Sequence, residues 1–328
     1  MIENKNIDLL GIGNAITDIL VSVDSDFLVK MNLSPGSMQL VNFEKLNQII
    51  EQFKDYKISA GGSVANTISL SAALENKCAF IGKRKNDSLG DMFNKSMISE
   101  DIIIPNKATE TGDPSSSCLV MITPDSQRTM LTFLGASTSL SLEDVDMSLL
   151  KSTKIIYLEG YLFDLPEAKK LFNKIVDKQK EYGFEVALSL SDSFCVERHK
   201  EDFLKLIEKK INILFGNEQE ISSLYGCPME EALLKASETV SISVCTKGEK
   251  GSTFCKDQKL FDSNAYKVKA IDTTGAGDNF AAGFLNGYIK KYPLSKCADF
   301  GNFCAAETVK VIGARLNKNI NEKLKLKV

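Results

Sequence analysis

One run of residues stands out for the chemistry that its residue types and spacing allow: Asp272-Thr-Thr-Gly-Ala-Gly-Asp278. Its glycines allow the backbone to turn tightly and to approach a ligand closely, and the small apolar residues that follow it predict a helix. The first amide N–H groups of a helix have no intrahelical partners, so together with the helix dipole they stabilise negative charge. We therefore predict an anion hole for a phosphoryl group, formed by Gly275, Ala276 and Gly277. Asp278, at the mouth of this anion hole, is placed to accept a proton from an attacking hydroxyl.

Each weaker motif has an ordinary structural alternative when it is taken alone. A lone Gly-x-Gly-Asp is most often a glycine turn with Asp as the N-cap, and Asp18 alone is a polar strand residue. The pair Gly11-Ile-Gly13 lacks the third glycine of a dinucleotide-binding loop. Asn217-Glu-Gln-Glu220 alone is a helix start with Asn as the N-cap. The occurrence of these motifs in one order along nearly the whole chain favours a shared chemical role.

Together with Gly61-Gly62-Ser-Val-Ala-Asn66, these motifs resemble the ribokinase-like (PfkB) carbohydrate and nucleoside kinases, and residues 272–278 resemble that family's C-terminal signature. The resemblance implies substrate binding by Asn14, Asp18, Gly61, Gly62 and Asn66. It implies ATP binding by Asn217, Glu220, Thr246, Lys247, Gly248, Gly251 and Asn302. Asn217 and Glu220 are expected to order Mg²⁺ through water. A monovalent-cation (K⁺) site beside Asp272 and the carbonyls of residues 309–313 is a further property of the family.

Residues 124–136 and 158–163 resemble the adenosine-kinase-like branch most closely. On this resemblance we expect Arg128 to reach a phosphate when a lid closes, with a solvated side chain as the alternative. An apolar slot for a purine ring is expected from Ile16, Leu40, Leu134, Tyr161 and Phe163. Ordinary core or lid packing is the alternative for each residue of the slot. The stretch Gly82-Lys-Arg-Lys-Asn-Asp87 is more basic than the usual family version.

From residue 140 onward, strand-like and helix-like segments alternate, which predicts βαβ units and a mostly parallel sheet. We expect a three-layer α/β/α sandwich with a mainly parallel sheet. Its large nucleotide-binding and catalytic body comprises residues 1–15, 42–107 and 136–328. Residues 16–41 and 108–135 contain turn signals and short alternating runs, which predict a small β-sheet lid. The lysine-rich tail from Asn317 is expected to be solvated.

Composition excludes several classes of function. A net charge of −3 argues against a nucleic-acid-binding surface, and no apolar run approaches the ~18 residues of a membrane span. Eight cysteines without a C-x-x-C spacing, in a chain with a polar N-terminus, predict reduced thiols in a cytoplasmic protein. The single histidine, His199, is expected in a solvated charged turn, and a single histidine excludes His-based catalytic triads and His-rich metal sites. The expected partner is a small molecule, and the protein is expected to be a monomer or a homodimer.

These features predict an ATP-dependent kinase in which Asp278 deprotonates a primary hydroxyl, with the 5′-OH of adenosine as the expected acceptor. Two alternatives stay open. One is a sugar kinase of the same family that acts on ribose, fructose or a keto-sugar acid, and the other is a nucleoside-binding protein without catalysis.

Overall fold

The computed structural model describes residues 5–125, 127–209, 211–316 and 319–326. The strands are β1 (Ile7–Ile12), β2 (Ile16–Ser22), β3 (Met38–Leu40), β4 (Lys57–Gly61), β5 (Cys78–Ile81), β6 (Ser116–Ile122), β7 (Arg128–Phe133), β8 (Thr153–Glu159), β9 (Glu185–Ser189), β10 (Ile213–Asn217), β11 (Ile242–Thr246), β12 (Ser252–Lys256) and β13 (Lys259–Ser263). The α-helices are α1 (Ser25–Lys30), α2 (Phe43–Ile50), α3 (Ser63–Ala73), α4 (Ser88–Ser99), α5 (Met147–Lys151), α6 (Pro166–Tyr182), α7 (Ser193–Glu208), α8 (Glu218–Tyr225), α9 (Met229–Ala236), α10 (Ala276–Ile289), α11 (Leu294–Thr308) and α12 (Ile320–Lys325).

The larger sheet has the strand order β13-β12-β11-β10-β9-β8-β1-β5. The six strands from β11 to β5 are parallel, and the β12–β13 hairpin closes one edge with antiparallel pairing. Parallel strands need crossover connections, which the helices supply. Because the carboxyl ends of all six parallel strands meet at one edge, polar residues that follow these strands are brought together there.

Helices cover both faces of this sheet. In β8, Ile156 and Leu158 pack into the core formed with α5 to α9, whereas Ile155 and Tyr157 pack into the core formed with α3, α4, α10 and α11. This alternation follows from the two-residue period of a strand. Local signals fix the helix ends: α6 begins at Pro166 and ends at Gly183, which adopts φ +68°. The sequence prediction of a three-layer α/β/α sandwich is confirmed.

The smaller sheet has the strand order β3-β7-β6-β2-β4, and one of its faces is covered by α1 and α2. On that face Ile19, Leu119 and Leu131 pack against Leu28 of α1 and Leu46 of α2. We call this sheet together with α1 and α2 the lid. Its other face is turned toward the carboxyl ends of the larger sheet, across a cavity.

The structure adds to the sequence interpretation at three places. Strand β4 pairs with β2 in the lid sheet, although it lies within residues 42–107. Residue 317 lies outside the described residues, but α12 follows it and buries Ile320 and Leu324 against the helical layer rather than being solvated. His199 belongs to α7 and its Nε2 lies 2.6 Å from Asp164 Oδ1, so it is not in a solvated turn. A short edge strand and a charged amphipathic helix both have weak hydrophobic periodicity, which explains why the sequence did not indicate them.

Two composition-based expectations concern cysteines and membrane spans. All eight cysteines are free, and seven of them are buried. Among the described residues, no helix combines the length and apolarity that a membrane crossing needs.

Phe163, which the sequence placed in the apolar slot, is part of the core instead. It is 2% exposed and stacks on Phe203 of α7 with ring centroids 3.9 Å apart. Phe172 of α6 meets the same ring edge-on at 5.8 Å. Because three aromatic rings converge here, the side chain anchors α6 and α7 to each other.

The variant Phe163→Ala is therefore expected to lower the free energy of unfolding by about 3–5 kcal/mol, the usual cost of removing a buried aromatic ring. Chemical denaturation measures this loss. Phe194→Ala is the matched control, since Phe194 is 69% exposed on the same pair of helices. Equal losses for the two variants would contradict a core role for Phe163.

Candidate active site

A cavity of about 390 Å³ lies between the lid and the carboxyl ends of the larger sheet. Five successive parallel strands each contribute one polar residue at or just after their carboxyl ends: Asn14, Glu159, Ser189, Asn217 and Thr246. The loop 274–278 supplies the remaining wall of this edge. The volume falls within the range of about 300–1,000 Å³ that is typical of small-molecule sites.

The loop before α10 has the geometry of an anion site. Gly275 is the N-cap of α10 with φ +73°, a left-handed conformation that L side chains rarely adopt, and an added Cβ would lie 2.4 Å from Ala314 Cβ. Gly277 instead lies within the first helical turn, and an added Cβ there would meet no atom within 4 Å. Glycine at 277 therefore leaves open space beside the cavity, whereas glycine at 275 is required by the backbone conformation. Both glycines line the cavity with Asp278, while Ala276 is not among the lining residues.

Asp278 is held by the first turn of α3. Its Oδ1 accepts from Ser63 Oγ at 2.7 Å and its Oδ2 accepts from Asn66 Nδ2 at 2.9 Å. Its backbone carbonyl accepts from Thr67 Oγ1 at 3.0 Å. Burial raises the pKa of Asp278 above its ordinary value, although these side-chain donors and the Arg315 guanidinium lower the pKa in part. A carboxylate that is fixed at both oxygens and made more basic by burial is suited to accept a proton.

Glu159, at the end of β8, is a buried member of the site that the sequence interpretation did not identify. It has no exposed surface, and it accepts from the Asn14 amide N at 2.7 Å, from Asn14 Nδ2 at 2.6 Å and from the Val64 amide N at 3.1 Å. The N-cap of α3 is Gly62, which has no side chain to cap the helix, so Glu159 caps it from another strand. Burial raises the pKa of Glu159 to about 7, with a contribution from Asp278.

The end of the cavity beneath the lid combines one carboxylate with apolar side chains. We call this the lid end, and its apolar residues are Ile16, Met38, Leu40, Met130 and Leu134. Asp18 is the carboxylate, and its side chain packs directly against the backbone of Gly61, where an added Cβ would lie 2.4 Å from Oδ2. Burial raises the pKa of Asp18 to about 6, against the opposing effect of Arg315 and Arg128. Tyr161 lines the same cavity.

The opposite end of the cavity, which we call the sheet end, contains Asn217 and Glu220. They form a capping box on α8: Asn217 Oδ1 accepts from the Glu220 amide, and the Glu220 carboxylate accepts from the Asn217 amide at 3.0 Å and from Nδ2 at 2.7 Å. Both residues also line the cavity. Burial raises the pKa of Glu220 to about 7, and nearby Asp192 and Asp278 raise it further. Asn217 and Glu220 can therefore cap the start of α8 and belong to the site at the same time.

The charge of the cavity lining is strongly one-sided. Among the described residues, the lining contains six carboxylates and one cationic side chain, Arg198, which is itself paired with Asp164 at 2.9 Å. The carboxylates are Asp18, Glu159, Asp164, Asp192, Glu220 and Asp278. Of these, Glu159 and Glu220 are buried and have only neutral donors on their carboxylates. Buried carboxylates without a nearby cation are costly, so the cavity is suited to a ligand that brings a cation.

Several predicted site residues lie outside the cavity lining. Asn302 is buried and its Nδ2 joins α11 to the β12–β13 hairpin through Ser252 Oγ at 3.1 Å and Ser263 Oγ at 3.0 Å. Lys247, beside Thr246, pairs with Asp262 at 2.6 Å. The remaining predicted residues outside the lining are Gly61, Phe163, Gly248, Gly251, Arg128 and Ala276. Of these, Gly61 contacts the Asp18 side chain and Gly248 and Gly251 form the turn that follows β11.

Arg128 is neither solvated nor part of the cavity lining. Its guanidinium forms an ion pair with Asp272, and the two side chains are 9% and 4% exposed. Asp272 also accepts from the amides of Thr274 at 3.0 Å and Gly313 at 2.7 Å. The carboxylate that the family resemblance placed beside a K⁺ site therefore already has a cation and two amide donors as neighbours.

The sequence interpretation assigned no role to Ser63, Glu159, Arg198 and Arg315. A signal for Glu159 was present, since it is an acidic residue directly after the apolar run 154–158. Arg315 approaches the site from the loop after α11 and pairs with Glu100 at 3.1 Å. Its contribution depends on contacts between distant segments, which no local pattern indicates.

The pKa of Glu159 leads to a prediction about stability. Because the folded-state pKa is raised from 4.5 to about 7, the folded protein binds this proton more tightly than the unfolded chain does. The stability associated with that proton is fully present below pH 4.5 and is lost as the pH rises to about 7. In Glu159→Gln this titration is absent, so thermal stability should fall less between pH 5 and pH 8 than in the wild type. The exposed Glu143→Gln variant is the control, and identical pH profiles for wild type and Glu159→Gln would contradict the expectation.

Comparison with known proteins places this geometry in a family. The sequence profile described as "pfkB family carbohydrate kinase" matches residues 30–321. A probable sugar kinase from Rhizobium etli CFN 42 superposes with a TM-score of 0.91 at 33% identity, covering 98% of this chain and 99% of the other. Adenosine kinase from Sinorhizobium meliloti gives a TM-score of 0.91 at 31% identity, covering 98% and 100%. Adenosine kinase 2 of Arabidopsis thaliana is 24% identical over 341 residues, covering 94% of this chain and 95% of that protein. The chain belongs to the PfkB family of carbohydrate and nucleoside kinases.

Proposed function

We propose that the protein transfers the γ-phosphoryl group of ATP to the 5′-OH of adenosine, with Asp278 as the base. The observation that supports this proposal most directly is the composition of the lid end. Asp18 offers two acceptor oxygens beside a group of apolar side chains, and a nucleoside presents the matching pair of features, a ribose diol and an apolar base.

The transfer step uses groups that are already in place. The hydroxyl oxygen of the acceptor attacks the γ-phosphorus while Asp278 accepts the hydroxyl proton. The bond between the γ-phosphorus and the bridging β-phosphate oxygen breaks, and ADP leaves. The amides of Gly275, Gly277 and Asp278 at the start of α10 stabilise the charge that develops on the phosphoryl oxygens. The Ala276 amide, which the sequence also placed in the anion hole, donates instead to the Thr273 carbonyl at 3.2 Å. Since phosphoryl transfer demands little covalent chemistry from the protein, fixing the position of Asp278 by Ser63 and Asn66 supplies a large part of the catalysis.

PfkB kinases use ATP, generally with Mg²⁺, and the sheet end fits such a cation. Glu220 is 7% exposed and has only neutral donors from Asn217 on its carboxylate. Among the described residues there is no cluster of three or more acidic, His or Cys side chains that is able to hold a metal. Glu220 and Asn217 would hold Mg²⁺ through water, and the nucleotide phosphates would complete the site, as is usual for nucleotide-bound magnesium. When bound, Mg²⁺ supplies positive charge at the phosphates.

The charge of the site favours a neutral acceptor over an acidic one. Among the described residues, the lid end has no cationic side chain in its lining, and the nearby Arg128 and Arg315 are paired with Asp272 and Glu100. A sugar phosphate or a keto-sugar acid would bring a second anion next to Asp18 and Asp278 without a free cation to bind it. Like charges in such a setting cost several kcal/mol, so these acceptors are disfavoured.

A neutral sugar such as ribose or fructose is the second candidate acceptor. Asn14 and Asn66 both line the cavity, and the Oδ1 atom of each is buried without a hydrogen-bond partner in the described structure. These two acceptors are available to the hydroxyls of a bare sugar as well as to those of a nucleoside. A nucleoside-binding protein without catalysis is disfavoured, because Asp278 and the anion site are both intact.

A coupled ADP-release assay across acceptors tests the proposal. We expect activity in the order adenosine, 2′-deoxyadenosine, then ribose and fructose, with no activity above background for fructose 6-phosphate. Loss of one charged hydrogen bond predicts that 2′-deoxyadenosine loses at least about tenfold in kcat/KM. Asp18→Ala should lower activity on both nucleosides and erase most of the difference between them. Ribose or fructose exceeding adenosine in kcat/KM would refute the nucleoside assignment while leaving the kinase assignment intact.

Asp278→Asn is expected to lower kcat by about 10²–10⁴-fold, the usual contribution of a positioned proton acceptor. Acceptor binding should change little, because the amide of Asn has the size and shape of the Asp carboxylate. Single-turnover kinetics and isothermal titration separate the two effects. Asp164→Asn is the matched control, since Asp164 lines the cavity but pairs with Arg198 and His199. Near-normal turnover of Asp278→Asn would remove Asp278 from the role of base.

A further inference from the structure

The ion pair between Arg128 and Asp272 crosses from the lid to the catalytic loop. Arg128 is the first residue of lid strand β7, and Asp272 begins the run that ends at Asp278. With side chains 9% and 4% exposed, the pair is buried. Truncating one member of a buried pair leaves the other charge uncompensated, which is strongly unfavourable. The position of the lid and the conformation of the loop are therefore energetically linked at this contact.

Asp272 connects three segments of the chain. Its Oδ1 accepts from the Thr274 amide at 3.0 Å, within the loop that precedes α10. Its Oδ2 accepts from the Gly313 amide at 2.7 Å, in the loop that follows α11, and also meets Arg128. That second loop supports α10 as well, since the Ala314 carbonyl accepts from Asn279 Nδ2 at 2.8 Å. A change at the Asp272 carboxylate thus affects both the loop that precedes α10 and the loop that follows α11.

Arg128 also lies close enough to Asp18 to lower its pKa. One guanidinium on the lid therefore pairs with the carboxylate at the start of the catalytic loop and acts electrostatically on the carboxylate of the lid end. It is absent from the cavity lining, whereas Asp18, Thr274 and Gly275 are present. Its ion pair is thus with Asp272 rather than with a group in the space that a ligand would fill.

We propose that Arg128 is a positioning residue: through its ion pair with Asp272, closure of the lid fixes the loop 272–278 in the conformation that forms the anion site. The catalytic consequence rests on the proposed kinase function, but the structural coupling does not. The proposal differs from a direct contact between Arg128 and a phosphate, in which Asp272 would play no part. It predicts that the effect of Arg128 on turnover depends on the presence of the Asp272 carboxylate.

A double-mutant cycle in the full-length protein separates these two roles. Arg128→Met keeps the aliphatic stem and removes the charge, and Asp272→Asn removes the charge at the other side. With the best acceptor from the ADP-release assay, Arg128→Met should lower kcat by about 10–100-fold, as expected when a catalytic group is misplaced, with a smaller change in KM for ATP. In the Asp272→Asn background, the same change should lower kcat by less than about twofold, because the two effects are not additive within one network. Equal losses in both backgrounds would overturn the proposal in favour of a direct phosphate contact.

Hydrogen exchange without any ligand tests the coupling independently of the acceptor. The amides of Thr274 and Gly313 both donate to Asp272, so peptides covering residues 272–278 and 309–314 report on its order. We expect Arg128→Met to accelerate exchange in both peptides. Lys169→Met is the control, because it breaks the Lys169–Asp202 ion pair between α6 and α7, away from the lid. Unchanged exchange in both peptides of Arg128→Met would overturn the coupling, whatever the acceptor panel shows.

Discussion

The structure concentrates buried carboxylates around one cavity, and much of the surrounding architecture serves to make this tolerable. Glu159 has no exposed surface, and the Asp278 side chain is half-buried at the cavity. Such groups are stable as anions only where donors or cations meet them. The first turn of α3 supplies donors to both carboxylates, since the Val64 amide donates to Glu159 while Ser63 and Asn66 donate to Asp278. The parallel sheet matters because it brings the carboxyl ends of β1 and β8 to one edge, where the start of α3 reaches them from lid strand β4.

The hydrogen-bond donors around these carboxylates offset only part of the cost of burying them, and this has a consequence for ligand binding. The pKa of Asp18 is raised to about 6 and those of Glu159 and Glu220 to about 7, in each case chiefly by burial. The donors that the protein supplies to these carboxylates therefore do not fully compensate the cost of burying them as anions. On the proposed function, a metal bound with the nucleotide would place a cation near Glu220 at the sheet end, and the hydroxyls of the acceptor would donate to Asp18 at the lid end. Ligand binding thus relieves a cost that folding leaves in place, as is common at functional sites.

How far the sequence predicts this site depends on whether the responsible contacts are local. The loop 272–278 was interpretable because an anion site at a helix start needs only glycines, an acidic residue and a following helix within a few positions. Asp18 was assigned through the family resemblance of residues 11–18, and the structure places it within lid strand β2, at the cavity. Glu159 was not identified, because its partners Asn14 and Val64 are 145 and 95 residues away in the chain. Phe163 was misplaced for the complementary reason: an apolar side chain near a site packs equally well into the core, and only the Phe203 stack decides between them.

The ordinary and the functional explanations of a motif turn out to be compatible where a helix start meets the cavity. Asn217 and Glu220 satisfy each other as a capping box and also line the sheet end. Gly275 caps the start of α10 in a left-handed conformation and also lines the cavity at the anion site. Capping fixes the backbone at the helix start, so the orphan amides and the adjacent side chains are held where a ligand meets them. A site built on helix starts is therefore rigid before any ligand binds. The lid is joined to this edge by the buried ion pair between Arg128 and Asp272.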